Sequence, residues 1–250
     1  MDIHAYIERI NYHGPVTPSA QTLHGLQMAH LMTVPFENLS IHAHEPIVLD
    51  QMALFDKIVG RRRGGFCYEL NGLFAALLNE LGFEVTMLAV EVARADGSYT
   101  PPFDHMALMV TLEQRWLVDV GFGDTFREPL LLDNRDVVAE NGRFYQIATN
   151  NTHHILMEQK DGKPWRPQYR FTLQSYDFSD YAEMCHYNQT SPDSHFTQGR
   201  VCSLATENGR VTLAEMQFIT TTLRGGRQEH QVADETEYAR LLHQYFGIKM

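Results

Sequence analysis

Hydrophobic residues in the first third of the chain recur at the spacing of an α-helix. Four helix starts are predicted, each at a capping side chain or just after a glycine turn: Asp2, Thr17, Asp50 and Cys67. The fourth helix has the clearest pattern, an apolar stripe made of Leu70, Phe74, Leu77, Leu78 and Leu81. It is expected to end at Gly82, because glycine readily adopts the left-handed conformation that follows many helices.

From residue 84 onward the apolar positions form short runs separated by turn residues, which is typical of strands. The predicted strands of this region are 85–92, 106–112, 116–120, 144–148, 154–157 and 169–173. Helical spacing returns at 177–187 and 235–245, and the runs 201–204, 210–213 and 218–223 between them are typical of strands. We therefore expect an α+β protein with a helical lobe, a β lobe and a smaller mixed C-terminal lobe.

The charge and the cysteine content exclude several classes of protein. With a formal net charge of -11 over 250 residues, the chain lacks the clustered Lys and Arg that bind phosphate backbones, so no nucleic-acid partner is expected. No run approaches the ~18 consecutive apolar residues of a membrane span, and the N-terminus does not resemble a signal peptide, so we expect a cytoplasmic protein without a membrane partner. Three scattered cysteines fit neither a disulfide framework nor a zinc site. His42, His44 and Glu45 resemble metal ligands only in residue type, and no metal site is predicted.

Cys67 stands directly at a predicted helix start, in Arg63-Gly64-Gly65-Phe66-Cys67-Tyr68-Glu69-Leu70-Asn71. The unpaired N–H groups and the positive dipole end of a helix stabilise a thiolate, so this position predicts a nucleophile with a lowered pKa. The two glycines would let a substrate carbonyl approach the backbone closely. The alternative is an ordinary core cysteine, because Cys is among the residue types most often buried.

A cysteine nucleophile needs a base, and the base needs an orienting acceptor on its other ring nitrogen. His105 and Asp119 lie on two neighbouring β-like runs that could form a hairpin. Asp119 stands among apolar residues, where a carboxylate is costly unless it has a partner, and an imidazole would provide one. Taken alone, His105 is one of thirteen histidines and could be an ordinary residue at a strand end.

The register of this hairpin decides whether His105 and Asp119 can meet. A two-residue turn at Glu113-Gln114 puts Asp119 opposite Leu108 and leaves His105 on the other face. A three-residue loop at 112–114, or a bulge, places Asp119 opposite Ala107, one same-face step from His105. A catalytic triad therefore requires the irregular hairpin.

Two further segments carry candidate chemistry. The turn Gly121-Phe122-Gly123-Asp124 offers backbone N–H groups that could hold a phosphate, although a plain turn at a strand end explains it equally well. Upstream, the apolar segment Pro35-Phe36-Glu37-Asn38-Leu39 contains an acid, and we expect one of the arginines at 61–63 to form a structural ion pair with Glu37.

Four ordered motifs together resemble those of the arylamine N-acetyltransferase family. They are Pro35-Phe36-Glu37-Asn38-Leu39, the nine residues around Cys67, His105 at the opening of a strand, and Val118-Asp119-Val120-Gly121-Phe122-Gly123. The similarity extends to Ser191-Pro192-Asp193-Ser194-His195-Phe196 and to Tyr245-Phe246-Gly247-Ile248, so it covers nearly the whole chain.

The resemblance implies a fold of three parts. These are an N-terminal helical bundle carrying the nucleophile (1–83), a central β-barrel carrying the His and Asp (84–185) and a small C-terminal α/β lid (186–250), with a Cys-His-Asp site between the first two. The implied reaction is a ping-pong transfer of an acetyl group from acetyl-CoA to an arylamine, arylhydrazine or N-hydroxyarylamine, without a metal. We expect a monomer or a homodimer.

Residue by residue, the resemblance implies that Cys67 is the acetylated nucleophile, His105 its base and Asp119 the orienting carboxylate. The implied aryl-pocket residues are Phe36, Phe122 and Phe196. The implied coenzyme contacts are Pro101, Pro102, Gly121 and Gly123. The alternative is a thiol hydrolase, an amidase or protease using the same three residues, although the papain-type segment Cys-Gly-[Ser/Ala]-Cys-[Trp/Tyr] is absent.

Overall fold

The computed structural model describes residues 1–140, 142–160, 162–223 and 225–249. Its N-terminal part is helical, with one short strand. The elements are α1 (Ile3–Arg9), α2 (Ala20–Thr33), β1 (Phe36–Glu37), α3 (Leu39–His42), α4 (Gln51–Phe55), a π-helical turn (Asp56–Gly60) and α5 (Cys67–Glu80). Across the described ranges, no helix has both the length and the apolar character needed to cross a membrane.

Side-chain caps define most of these helix starts, as the sequence predicted. The Asp2 carboxylate accepts from Ala5 N–H at 3.0 Å, and the Asp50 carboxylate accepts from the first turn of α4. Gly82 has φ +89°, the left-handed conformation expected after α5. The predicted Thr17 cap is wrong. Ser19 caps α2 instead, because its Oγ accepts from Thr22 N–H at 3.1 Å. Thr17 lies in the turn before the helix, where its backbone carbonyl accepts from the Thr22 hydroxyl.

An eight-stranded antiparallel sheet forms the middle of the chain. Its strands are β2 (Glu84–Val92), β3 (His105–Thr111), β4 (Arg115–Val118), β5 (Leu130–Leu131), β6 (Val138–Glu140), β7 (Arg143–Asn150), β8 (His153–Lys160) and β9 (Arg166–Phe171). They are ordered β5-β4-β3-β2-β9-β8-β7-β6. Because β5 at one edge approaches β7 near the other, the sheet is nearly closed and barrel-like.

A second sheet follows in the C-terminal part. A 3₁₀ turn (Phe178–Tyr181), α6 (Ala182–Thr190) and α7 (His195–Gln198) lead into β10 (Val201–Thr206), β11 (Gly209–Ala214), β12 (Gln217–Thr222), β13 (Arg227–Gln231) and α8 (Glu235–Phe246). β1 pairs with β10 and so becomes the fifth strand of this sheet. The boundary predicted at 185/186 falls inside α6, and the break in regular structure lies earlier, at 172–177. A domain boundary at the predicted position would divide a continuous helix.

α5 joins the helical core to the barrel. The side chains of its apolar stripe pack against α1 and α2 on one side and against the outer face of β3 on the other. Alternate residues of β3 divide accordingly, because Leu108 and Val110 face the helices whereas Ala107 and Met109 face the barrel interior. This packing brings the start of α5 to the start of β3, where the candidate chemistry lies.

Candidate active site

Cys67 is the first residue of α5 and only 2% exposed. The helix start is fixed by Glu69, whose carboxylate accepts from Phe66 N–H at 3.1 Å and pairs with Lys57 Nζ at 2.7 Å. A Cβ built on Gly121 would lie 2.7 Å from the Cys67 Cα, so the turn after Asp119 can pack this closely against Cys67 only with glycine at position 121. The local sequence therefore places the thiol at a crowded, well-ordered point.

The Cys67 thiol is not acidified by its position at the helix start. Burial raises the pKa of Cys67 well above its usual value, and the carboxylates of Asp104 and Asp119 act in the same direction. A hydrogen bond from the Met106 backbone N–H to the sulfur opposes this rise without overcoming it. The predicted lowering of the pKa is wrong, because burial is the largest influence on this thiol.

The hairpin β3–β4 has the irregular register that a triad requires. Thr111 pairs with Arg115 across a three-residue loop at 112–114, and Leu108 pairs with Val118. This register continues to Ala107 opposite Asp119, so the side chains of His105 and Asp119 share a face. His105 Nε2 lies 2.8 Å from Asp119 Oδ2, and both side chains are buried.

Asp119 is fully buried and accepts four hydrogen bonds in the described part of the chain. Besides His105, its donors are Asn71 Nδ2 at 3.0 Å, Gly121 N at 2.9 Å and Tyr169 Oη at 3.2 Å. Burial followed by the Asp119 charge raises the pKa of Tyr169, so this hydroxyl stays a donor. Since the Gly121 N–H is occupied by Asp119, it is not free to hold a phosphate.

Asn71 is a site residue for which the sequence analysis predicted no role. Its Nδ2 donates to Met106 O at 2.6 Å as well as to Asp119, and its Oδ1 accepts from Val120 N at 2.9 Å. One amide on α5 thus holds both strands of the hairpin. A signal was available, because Asn71 lies four residues after Cys67 on the same helical face, within an otherwise apolar stripe. Tyr169, on distant β9, left no comparable signal.

A cavity of about 1030 Å³ opens beside these residues. Cys67 and His105 line it together with all three predicted aryl-pocket residues, Phe36, Phe122 and Phe196. Of the four predicted coenzyme contacts, Pro101 and Gly121 line this cavity, and Pro102 and Gly123 are not among its lining residues. A volume of this size accommodates a small aromatic molecule or the end of a larger substrate.

The aromatic side chains surround the reacting groups from two sides. The Phe122 ring meets His105 and Tyr169 edge-on, with ring centres 5.1 and 5.0 Å apart. On the other side, the ring centre of Phe196 lies 6.3 Å from that of Phe36 and 5.5 Å from that of Phe66. These tilted and edge-to-face contacts fix ring orientation while leaving an apolar wall towards the cavity.

The turn carrying Phe122 is anchored to both sheets. Arg210 on β11 donates to the Gly123 carbonyl and to Asp124 Oδ1, the latter at 3.2 Å. Arg143 on β7 donates to the Asp124 carbonyl at 3.1 Å. The buried Arg210 and the partly buried Arg143 hold the turn in place from outside the cavity.

The expected ion pair of Glu37 is present, and its partner is Arg63. Arg63 Nη2 lies 3.0 Å from Glu37 Oε1, and Glu37 Oε2 accepts from Leu39 N–H at 2.7 Å. In the described residues, no group of three or more His, Cys, Asp and Glu side chains is arranged to hold a metal ion. His42 Nε2 instead lies 3.1 Å from the Phe196 carbonyl.

Cys67 and His105 line one cavity, and the His105 ring is hydrogen-bonded to the Asp119 carboxylate, which is the residue set found in cysteine–histidine–carboxylate enzymes. Chemistry of this class proceeds through an acyl-thioester. The fold narrows the class further.

Comparisons with known proteins identify the family. The N-acetyltransferase family model matches residues 19–250. An arylamine N-acetyltransferase of Mycolicibacterium smegmatis is 37% identical over 237 residues, covering 92% of this chain and 85% of the relative. The arylamine N-acetyltransferase structure from Salmonella typhimurium superposes with a TM-score of 0.93 at 31% identity, covering 98% of this chain and 90% of that one. The structure of the Mycobacterium marinum arylamine N-acetyltransferase in complex with CoA superposes with a TM-score of 0.91 at 32% identity. The match covers 99% of this chain and 93% of that one. The chain belongs to the arylamine N-acetyltransferase family.

Proposed function

We propose that the protein transfers an acetyl group from acetyl-CoA, through a thioester on Cys67, to an arylamine, arylhydrazine or N-hydroxyarylamine. The observation that carries the proposal is that Cys67 and His105 line one cavity with Phe36, Phe122 and Phe196. Family membership supports the donor and the acceptor class.

In the first half-reaction the thiol proton moves to His105. The bond from Asp119 to Nε2 leaves Nδ1 as the ring nitrogen that can accept this proton. The Cys67 sulfur attacks the acetyl carbonyl of acetyl-CoA, and the tetrahedral intermediate collapses as the C–S bond to CoA breaks. The leaving CoA thiolate takes the proton from His105, so the step ends with acetyl-Cys67, free CoA and neutral imidazole.

In the second half-reaction the acceptor amine attacks the acetyl-Cys67 carbonyl. His105 takes a proton from the nitrogen and returns it to the Cys67 sulfur as the thioester bond breaks, which releases the N-acetylated product. Phe122 beside His105 can stack on an aryl ring and hold its amine near the thioester. Orientation therefore favours aromatic over aliphatic acceptors.

We also propose the three-part division as helical bundle, barrel and α/β lid, with the site between the first two. Its support is that Cys67 begins α5, whereas His105 begins β3 and Asp119 directly follows β4. A cytoplasmic location and a monomeric or homodimeric state remain predictions.

The decisive experiment is intact mass spectrometry after mixing with acetyl-CoA in the absence of any amine. We expect one acetyl group per chain, located on Cys67 by peptide mapping and absent from a Cys67→Ser variant, whose hydroxyl the site cannot ionise. Cys202→Ala, which removes a thiol that is not among the cavity's lining residues, is the matched control and should still be acetylated.

Release of free CoA distinguishes the transferase from the thiol hydrolase. A transferase releases CoA slowly from acetyl-CoA alone and is strongly stimulated by an arylamine or arylhydrazine, because water is poorly placed against the thioester. Fast release without an acceptor, indifferent to aromatic amines, would assign a hydrolase instead.

A further inference from the structure

The Tyr68 hydroxyl connects the start of α5 to the turn that precedes His105. Tyr68 follows Cys67 on α5 and is fully buried. Its hydroxyl oxygen lies 2.7 Å from the Phe103 carbonyl oxygen and 3.1 Å from that of Asp104. One side chain therefore bonds to the two residues directly ahead of the base.

The backbone of this turn needs such support. Phe103 has φ +67°, a left-handed conformation that is unfavourable for an aromatic residue unless its surroundings impose it. Its ring is held edge-on by Tyr176 and Tyr181, with ring centres 4.8 and 5.2 Å away. The ring contacts fix the side chain, and the Tyr68 hydroxyl is the group that fixes the carbonyl.

Neighbouring side chains orient this hydroxyl. Asn188 Nδ2 donates to the Tyr68 oxygen at 3.0 Å and reaches Asp104 Oδ1 at 3.4 Å. Ser194 Oγ in turn donates to Asn188 Oδ1 at 3.0 Å. Because the Tyr68 oxygen accepts from Asn188, its own proton is directed at the carbonyls of the turn.

We propose that Tyr68 is a positioning residue that sets the distance between the Cys67 thiol and the His105 ring. The inference rests on the proposed function, in which His105 takes the Cys67 proton. Without the hydroxyl, the turn can relax towards negative φ and carry the start of β3 with it. A misplacement of about 1 Å between positioned groups can slow a reaction by about 100-fold.

Two conservative variants in one aromatic cluster test the positioning role of Tyr68. Tyr68→Phe removes the hydroxyl that bonds the turn. Tyr181→Phe removes a buried hydroxyl that has no hydrogen-bond partner among the described residues, although its ring lies 6.1 Å from that of Tyr68. We expect Tyr68→Phe to slow acetylation of Cys67 by acetyl-CoA ~10-fold with little change in KM, and Tyr181→Phe to leave it unchanged.

Alkylation of Cys67 by iodoacetamide, followed by peptide mass spectrometry, separates positioning from general loosening. At neutral pH the thiol depends on His105 to lose its proton, so Tyr68→Phe should react ~10-fold more slowly than wild type. In a His105→Ala background the base is absent, and Tyr68→Phe should no longer change the alkylation rate. Equal slowing with and without His105, or equal slowing in Tyr181→Phe, overturns the proposal.

The two readouts also separate this inference from the proposed function. Wild-type protein that is not acetylated by acetyl-CoA refutes the function, while the alkylation contrast still decides the role of Tyr68. If Tyr68→Phe does not fold, Asn188→Leu removes the donor that orients the hydroxyl. It should slow alkylation ~3-fold when His105 is present and not in the His105→Ala background, and unchanged alkylation with His105 present overturns the proposal.

Discussion

Two buried polar clusters meet on α5, and they balance charge in opposite ways. Beneath the helix start, Glu37 pairs with Arg63 at 3.0 Å and Glu69 pairs with Lys57 at 2.7 Å. All four side chains are buried, and each carboxylate lies against a lysine or arginine side chain. This cluster is electrically complete without any proton transfer.

The cluster beside the cavity is electrically incomplete. Asp119 is just as buried, yet in the described ranges its partners are the neutral donors Asn71, Tyr169 and Gly121 and the titratable ring of His105. Only His105 can supply a positive charge, and it does so when it takes a proton. A carboxylate paired with a lysine or arginine therefore stabilises the fold. One whose only titratable partner is a histidine can stabilise a charge that appears during a reaction.

The largest effect should come from breaking the complete cluster. Glu37→Gln leaves Arg63 buried without its counter-charge and should lower the free energy of unfolding by about 3–5 kcal/mol, measured by urea denaturation. Asp56→Asn is the matched control, because its ion pair with Arg61 at 3.2 Å is exposed and should contribute less than about 1 kcal/mol. Equal stability of the two variants would remove the distinction between the clusters. Acetylation per folded molecule should survive in both.

Breaking the incomplete cluster should instead affect the reaction. In Asp119→Asn the amide can turn its NH₂ group towards His105 Nε2, which imposes the wrong tautomer and withdraws the charge that stabilises imidazolium. Acetylation of Cys67 should slow by ~100-fold, or about 2.7 kcal/mol, in a stopped-flow assay of CoA release. Asp104→Asn, which removes the other carboxylate that raises the Cys67 pKa, should acetylate at least as fast as wild type. Similar slowing in both variants would show that Asp119 acts only as a nearby charge.

A second buried histidine, His30, has no carboxylate partner among the described residues. His30 lies in the helical core, where burial and then Arg9 lower its pKa from 6.5 to about 3. Above pH 6.5 it is neutral in folded and unfolded chains. Below that value only the unfolded chain takes the proton, so stability falls as the pH decreases towards 3, by about 2 kcal/mol at pH 5.

Comparison with His30→Gln isolates this contribution. The glutamine can still accept from the Tyr6 hydroxyl, which lies 3.0 Å from His30 Nδ1. Denaturation at pH 7 and pH 5 should show a smaller acid-induced loss for the variant, by about 2 kcal/mol. An unchanged pH dependence would mean that His30 becomes protonated within the fold.

The smallest effect concerns the apolar wall of the cavity. Phe122→Ala removes a ring that touches His105 without a polar bond, so the acid–base pair should keep its geometry. Transfer from acetyl-Cys67 to an arylamine should slow by ~10-fold, or about 1.4 kcal/mol, and more than the first acetylation step does. Single-turnover measurement of the two steps checks this. A larger loss in the first step would place Phe122 in the triad's support rather than in the acceptor pocket.

Much of the local structure could be predicted because it depends on neighbouring residues. The caps at Asp2 and Asp50, the end of α5 at Gly82 and the partner class of Glu37 all follow from short-range chemistry. The hairpin was narrowed to two registers, but the loop that selects between them depends on packing against α5. Sequence patterns state which side chains are buried without stating which atoms they meet. For that reason the sequence predicted no site role for Asn71, Tyr169 or Tyr68.

The wrong pKa direction for Cys67 has the same origin. A helix start can be recognised from Gly64 and Gly65, and its dipole favours a thiolate. Desolvation depends on how much of the surrounding molecule closes over the sulfur, including β3 and the turn at Gly121, and a linear pattern does not contain that information. The boundary at 185/186 stays a prediction, and residues 182–190 form one helix across that position.

The enclosure of Cys67 also bears on how well the protein withstands oxidative damage. Peroxides convert thiolates to sulfenic acid far faster than they attack protonated thiols, so a sulfur that keeps its proton at rest is a poor target. The other two cysteine thiols are protected in the same way. Burial raises the pKa of Cys185 to about 12 and that of Cys202 well above its usual value. In the proposed mechanism the vulnerable moment is confined to turnover, when His105 would hold the proton and an oxidant would compete with the acetyl donor for the same sulfur.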